Sequence, residues 1–595
     1  MSRLGMGRAG IALAAIAATA LGACHDGGQN GGQDAAPDLS LPPEVTHVGV
    51  TQPVCCLETT SSAWRVMYLA SPKPGGSDSR GNDVATKGEL HLADAYGGDF
   101  TLATEVPRGG YTFSPDGHMA LFLSPTGDRD GSYSLMFAPL AADTLGAVTP
   151  VSVIDRGLVD RPLDEQAFFS PTGRYLIIGV GPKGVAESTD LTVVEVATAR
   201  VLTTLPNGSF NYLELVTSSD VMVFQNSTAS KTLGTPSLQG LYVLPLASAG
   251  AGAPARIDTR TVQFQTTADE QRIVYSRFDA TVWMYDLRDK SRVQIAADVV
   301  AFPLGGDANG PLVWIGRDLA VHVAPILQAE MVATAPKSTN PWSSFQFSPS
   351  GQDLYFFDRA SSQDNNGDLY RLDLKPGHTT QPPGLIDRRV SESDFFFIGG
   401  RMRYLRGIDG RGDVGELVSA NLDGSDPISI ARGVPTGSLE IANPVPVEQP
   451  PYKGQPPRGP IDMTTPIVPP VYAHLVNATR DTTLRQPLFD ESEPIVGALA
   501  FSRNDDPPVI LDPAVHVGGY RFTPDGYVLL YAGGATLNSD LQAYLGTLRL
   551  FQTLVDQTPV TPVLSGVSEL GRVRDRAMFV AAPGADVPGV YFVRY

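Results

Sequence analysis

Cysteine is close to missing from this chain, with three in 595 residues, at positions 24, 55 and 56. A small domain stapled by several disulfides is therefore excluded, and the CxxC spacing of redox and zinc sites does not occur. Positive charge is also scarce: 44 Lys and Arg stand against 63 Asp and Glu, for a net charge of −19. No run of Lys or Arg is present to neutralise phosphates, so nucleic acid is not an expected partner. Hydrophobic residues make up 42% and mean hydropathy is −0.04, the values of a globular protein rather than a multispanning membrane protein. No GxSxG elbow, HExxH pair or Walker loop occurs, so the common nucleophile, zinc-hydrolase and nucleotide sites leave no sequence footprint. His47, His91, His118, His322, His378, His474 and His516 stand singly. A site assembled from residues distant in sequence stays open.

What the chain does contain is a repeated phrase. FSPDGHMALFLS from Phe113 returns as FSPTGRYLIIGV from Phe169, FSPSGQDLYFFD from Phe347 and FTPDGYVLLYAG from Phe522. In each copy the aromatic residue ends one strand, and Ser or Thr, Pro and Gly make a tight turn: Pro115 and Gly117, Pro171 and Gly173, Pro349 and Gly351, Pro524 and Gly526. Pro fixes φ there and Gly accepts a positive φ. A strand apolar on both faces follows, as expected of a sheet sandwiched between other sheets. A third strand comes after a polar gap. From Phe169 to Phe347 is 178 residues and from Phe347 to Phe522 is 175, which four units each would divide into steps of about 44. Degenerate copies begin near Val216, Phe264, Phe302 and Phe396, and terminal ones lie in Ala63–Ser71 and Gly571–Pro583. A period of about 40–50 residues with four strands per unit is the pattern of a β-propeller, since no single unit can bury both of its faces. The expected fold is all-β, a β-propeller of about ten four-stranded antiparallel blades, in two rings or one large irregular ring. A division near Gln328–Trp342 would put residues 44–330 and 331–595 in two halves. The last unit lacks an outer strand, and Glu44–Val50 (EVTHVGV) is a candidate to supply it.

The N-terminus carries an address. Arg3 and Arg8 precede the apolar Ala9–Ala20, which is short for a bilayer span and reads as a secretory signal. It runs into Leu21-Gly22-Ala23-Cys24, which resembles the bacterial lipobox. That resemblance implies cleavage of residues 1–23, acylation of Cys24 and attachment to a membrane through lipid. His25, where Asp would favour inner-membrane retention, implies the outer membrane. Residues 24–43 are rich in Gly, Gln and Asp and cannot bury enough surface to fold, so they read as a flexible tether. With Cys24 lipidated, Cys55 and Cys56 can pair only with each other. A vicinal disulfide, two buried thiols and, less favoured, a redox-active site are the open readings.

Three further stretches invite function. Residues 443–470 contain ten prolines, which excludes helix and central strand and leaves an extended arm. Tyr452, Lys453 and Arg458 give that arm one aromatic and two cations, suited to docking a partner, beside the plainer reading of a surface insertion. Asp128–Ser132 and Asp364–Asp368 offer oxygens that could hold Ca²⁺ but lack the EF-hand spacing, and polar turns explain them better. The RGD at 411–413 is a three-letter coincidence. No cofactor is expected.

The phrase FSPDG, with its apolar second strand and third strands such as DLYRLDL, resembles the TolB-like repeats of bacterial envelope propellers over about residues 60–595. The resemblance implies fold more than function. The expected role is a lipid-anchored envelope propeller binding envelope proteins or cell-wall polymer. The alternative is a propeller lyase or hydrolase on glycans or peptides, with residues converging on the channel.

Overall fold

A computed structural model describes residues 43–595 apart from 61–63, 74–85, 128–131, 141–147, 159–162, 164–165, 181–189, 206–214, 217–218, 227–239, 249–253, 268–269, 302–310, 318–319, 326–332, 336–343, 359–365, 375–382, 399, 409–413, 443–470, 481–494, 524–525, 539–540, 542, 554–559 and 572–576. Among the described residues the chain forms eleven four-stranded sheets, each antiparallel and ten of them built from strands consecutive in sequence. These blades occupy residues 54–107, 111–158, 167–205, 215–259, 261–296, 299–335, 344–391, 395–435, 440–516 and 520–567. The eleventh is assembled from Glu569–Leu570, Ala577–Ala582, Gly589–Arg594 and the N-terminal strand Glu44–His47. Among the described residues helix is confined to short turns such as the 3-10 turn Leu246–Ser248.

The repeated phrase is a turn with a chemical reason for each letter. The carbonyls of Ser114, Ser170, Ser348 and Thr523 accept from the N–H of Gly117, Gly173, Gly351 and Gly526, each at 2.8 Å. All four glycines sit in the left-handed region, with φ of 66–73°, where a Cβ is disfavoured. The hydroxyl of the same Ser or Thr accepts a second bond from the N–H five residues on, at 2.9 Å for Met119 and 3.0 Å for Val528. Ser or Thr thus closes the turn with both backbone and side chain. Adjacent turns also touch, for a Cβ on Gly173 would meet the Pro115 ring at 3.4 Å.

Packing decides between one ring and two. Eleven apolar clusters lie among the described residues, and each is shared by two consecutive blades. Blades six and seven, on either side of Gln328–Trp342, share Val313, Val321, Val323, Leu354 and Leu372. Blades eleven and one share Val54, Val66, Tyr68, Phe579 and Val590. The series is continuous and closes on itself, so the chain is a single eleven-bladed β-propeller. The first strands of blades one and two, nine and ten, and eleven and one touch one another, as the innermost elements of a ring do.

The spacing after Phe347 needs correction. Three blades, not four, separate it from Phe522, because the ninth is lengthened between its short first strand Glu440–Ala442 and its second, Val471–Arg480. That insertion holds the Pro-rich residues, and it hides the one blade that the repeat pattern does not announce.

Polar ties supplement the apolar contacts between blades. The Tyr275 hydroxyl of blade five donates to Asp258 Oδ2 of blade four at 2.8 Å, and Arg292 Nη1 lies 3.2 Å from the same oxygen. Tyr404 of blade eight repeats this with Asp387 of blade seven at 3.1 Å, joined by Arg406 Nη1 at 3.1 Å. In blade ten Tyr531 lies against Asp512 of blade nine, which Arg549 pairs at 3.4 Å. Burial first, then the neighbouring carboxylate, holds the phenols of Tyr275 and Tyr404 far above their ordinary range. A hydrogen bond to a charged group contributes roughly 1.5–3 kcal/mol, so the Tyr275 and Tyr404 ties add specificity to an otherwise slippery apolar face.

The closing strand pairs Glu44 with Arg594 and His47 with Tyr591. Deleting residues 43–47, with residue 42 rejoined to Val48, leaves Gly589–Arg594 as an unpaired edge, and such edges recruit other chains. The expected outcome is a lower thermal midpoint together with self-association in light scattering. An unchanged midpoint in a monomeric deletion variant would contradict closure by this strand.

Candidate functional site

The first strand of blade one, Val54–Thr59, is irregular at its two cysteines. Cys55 faces Leu69 and Glu58 faces Met67, so Cys56 and Leu57 together oppose a single residue. This is a β-bulge, which takes backbone groups out of the ladder. Cys56 has φ of 64°, unusual for a residue with a Cβ. Cys55 is fully buried against Met67, Leu69 and Phe113, while Cys56 is half-buried. The structure sets their sulfurs together as a pair across one peptide bond.

The groups released from the ladder are met by neighbouring blades. Cys56 N donates to Glu569 Oε2 at 2.7 Å and Leu57 N to Glu569 Oε1 at 3.0 Å. The carboxylate comes from the first strand of blade eleven. From blade two, the Tyr111 hydroxyl donates to the Cys56 carbonyl. One peptide is held from both sides, across the seam where the ring closes. Burial raises the Glu569 carboxyl above its usual range, opposed by its bonds to Cys56 and Leu57 and by Arg108 and Arg521. On blade nine, burial likewise raises Glu440, opposed by Arg521, which is exposed on the first strand of blade ten. Inner strands nine, ten, eleven and one thus carry an acid, a base, an acid and a cysteine pair in succession. Such groups can bind or exchange protons and electrons.

A second feature lies on the rim between blades seven and eight. An open groove of about 530 Å³ is lined by Asp387, Arg388, Arg406, Val414, Glu416 and Arg432 together with three glycines. Arg406 bridges Asp387 at 3.1 Å and Glu416 at 2.9 Å, and Arg432 reaches Glu416 at 3.5 Å. The Ser429 hydroxyl above all, then Arg406, holds the Glu416 carboxyl below its usual range against the opposing effect of burial. The groove is therefore a tyrosine–aspartate–arginine tie open to solvent, charged on both walls and able to bind a charged chain.

Several sequence-based candidates fall outside the described residues: Cys24, the arm with Tyr452, Lys453 and Arg458, the RGD, Pro524, residues 128–131 and residues 364–365, whereas Asn366, Gly367 and Asp368 of the second acidic stretch open the strand Asn366–Asp373. Among the described residues no three His, Cys, Asp or Glu side chains converge as a metal-ligand set. Phe113 and Phe522 are buried, Phe169 and Phe347 partly so, as inner-strand residues on a shared core. The described histidines join no such set. Glu569 and Tyr111 escape the sequence reading because a two-residue strand and a lone Tyr carry no motif. The polar ties leave a fainter signal, an Asp after Ile or Leu in one outer strand and a Tyr in the second strand of the next blade.

No family model matches this chain, and no curated protein matches it. Solved structures do show similarity. One described as a eukaryotic initiation factor aligns at 11% identity over 72% of this chain and 95% of its own, with a TM-score of 0.37. The β-propeller domain of the Trilobed protease from Pyrococcus furiosus aligns at 12% identity over 62% and 92%, with a TM-score of 0.26. Dihydro-heme d1 dehydrogenase NirN aligns at 15% identity over 64% and 72%, with a TM-score of 0.30. Likeness at this level carries nothing about function.

One buried group gives a pH signature. His474, 0% exposed between blades, has no hydrogen-bond partner on either ring nitrogen. Burial alone lowers its pKa to about 4. The unfolded chain takes up a proton near pH 6.5 and the folded chain does not, so stability falls as pH drops from 6.5 towards 4. By 1.36 kcal/mol per pK unit this amounts to about 2 kcal/mol at pH 5. His474→Phe removes that contribution: urea unfolding at pH 7.5 and pH 5 should show a smaller acid loss than wild type by about this amount. Equal losses in both proteins would show that the imidazole titrates freely.

Proposed function

We propose that this protein is a lipid-anchored β-propeller of a bacterial cell envelope that presents its ring to an envelope protein or cell-wall polymer. The carrying observation is the link between address and architecture. The lipobox-like sequence ending at Cys24 and the polar stretch 24–43 lead directly to Glu44, the first residue of the strand that completes the ring. The lipid would hold the propeller by its closing blade and leave the other blades accessible. The open groove between blades seven and eight gives such a scaffold a recognition surface with charge of both signs, and the Pro-rich arm of blade nine gives it a second. His25 supports placement in the outer membrane.

Alkyne-palmitate labelling of wild type and Cys24→Ala in the native host tests the anchor, and a photo-crosslinking residue at Gly454 or Arg388 tests the binding role. The expected result is a label lost with Cys24, movement of the variant out of the membrane fraction, and one discrete envelope species captured from the arm or groove. An unlabelled wild type removes the anchor. The absence of any specific adduct from both positions removes the scaffold reading.

A further inference from the structure

We propose that the Cys55–Cys56 pair is a redox latch on the seam that closes the propeller. Its disulfide stabilises, and its reduction releases, the clamp that Glu569 places across blades eleven and one. Three observations join here. The pair sits within the bulge of the first inner strand, at the boundary between the first and last blades. Cys56 holds a left-handed φ of 64°, and Cys56 and Leu57 direct both N–H groups into one carboxylate. The Cys56 carbonyl is held from blade two by Tyr111. A covalent ring across one peptide unit restricts the backbone to few conformations, so the bonded pair presents both N–H groups together. With the ring opened, a left-handed φ at a residue bearing a Cβ costs about 1 kcal/mol or more and is no longer imposed. The bulge can then relax, and Glu569 loses one or both of its donors.

The chemistry is two-electron thiol–disulfide exchange. Half-buried Cys56 is the accessible sulfur and fully buried Cys55 is not. A thiolate of an external dithiol attacks Cys56 Sγ, forms a mixed disulfide and expels Cys55, which takes a proton. The second thiol of the reductant then attacks its own mixed-disulfide sulfur, expelling Cys56 as a thiol. Two electrons and two protons pass to the protein, and the dithiol leaves as a disulfide. The seam is where such a change has leverage, since Glu569 and the other C-terminal strands of blade eleven meet the first blade only through pairing with Glu44–His47, apolar packing and these bonds.

The test uses the full-length protein in detergent, oxidised with glutathione disulfide or reduced with dithiothreitol, with the state of Cys55 and Cys56 verified by alkylation and mass. Hydrogen exchange is read at peptides covering Cys55–Thr59 and the Glu569 strand. In wild type, reduction should speed exchange there about tenfold or more and lower the thermal midpoint, with distant blades unchanged. The double variant Cys55→Ser, Cys56→Ser should show the fast exchange under both conditions. Glu569→Gln, which keeps the disulfide but loses one anionic acceptor, should show a smaller redox difference. Identical exchange and midpoint for oxidised and reduced wild type would overturn the proposal, as would two alkylatable thiols persisting at Cys55 and Cys56 after oxidation. If either variant fails to fold, the wild-type comparison decides alone.

Discussion

Every blade of this protein has two apolar faces and needs a neighbour on each. Strands such as Tyr175–Val180 and Ala577–Ala582 are buried almost throughout, and a sheet of that kind left open would expose a continuous apolar surface to water. Row after row of blades cannot remove the problem, only move it to the ends. Ring closure removes it. The interface between blades eleven and one is therefore the condition on which the other ten depend, and it is reached only when Glu44–His47 pairs with Gly589–Arg594, a join that chain connectivity does not supply.

Nature supplies polar specificity where apolar packing is indifferent. Leu, Val and Ile faces fit one another in many registers, but a phenol aimed at a carboxylate fits in few. Tyr275 with Asp258 and Tyr404 with Asp387 set the angle between successive blades in this way. At the seam the same office falls to Glu569, whose two oxygens read two adjacent N–H groups of the first blade. A carboxylate meeting a bulge is more selective than one meeting a regular strand, because only the bulge presents neighbouring donors on one side.

The fold was legible in the sequence because the turn needs particular atoms. Ser or Thr bonds the N–H five residues on, Pro sets the approach, and Gly takes the left-handed φ cheaply, so these letters recur in four blades, while in blade five Thr267 bonds Glu270 and Arg272 in the same way with Glu270 at a left-handed φ. Glu44–His47 could be proposed as the closing strand because Gly589–Arg594 ends a unit without an outer partner. Blade nine was hidden, since its three-residue first strand is parted from the second by the prolines of 443–470. The seam site was only half legible. Adjacent cysteines stood out by rarity, whereas Glu569, over five hundred residues further on, meets them only through ring geometry, and no local pattern encodes that.

The pairing of Glu44 with Arg594 also has a consequence in time. During synthesis the first strand emerges long before its partner exists, and every blade between them can form in order while it waits. The unfinished arc meanwhile offers an exposed face at each end. Such a chain has a high contact order in its last step, and it is most vulnerable to misassociation just before completion. A chain stalled short of residue 589 would carry a complete set of early blades and yet no means of covering the first of them. Maturity of this molecule is thus reported at a single place, the join between its beginning and its end.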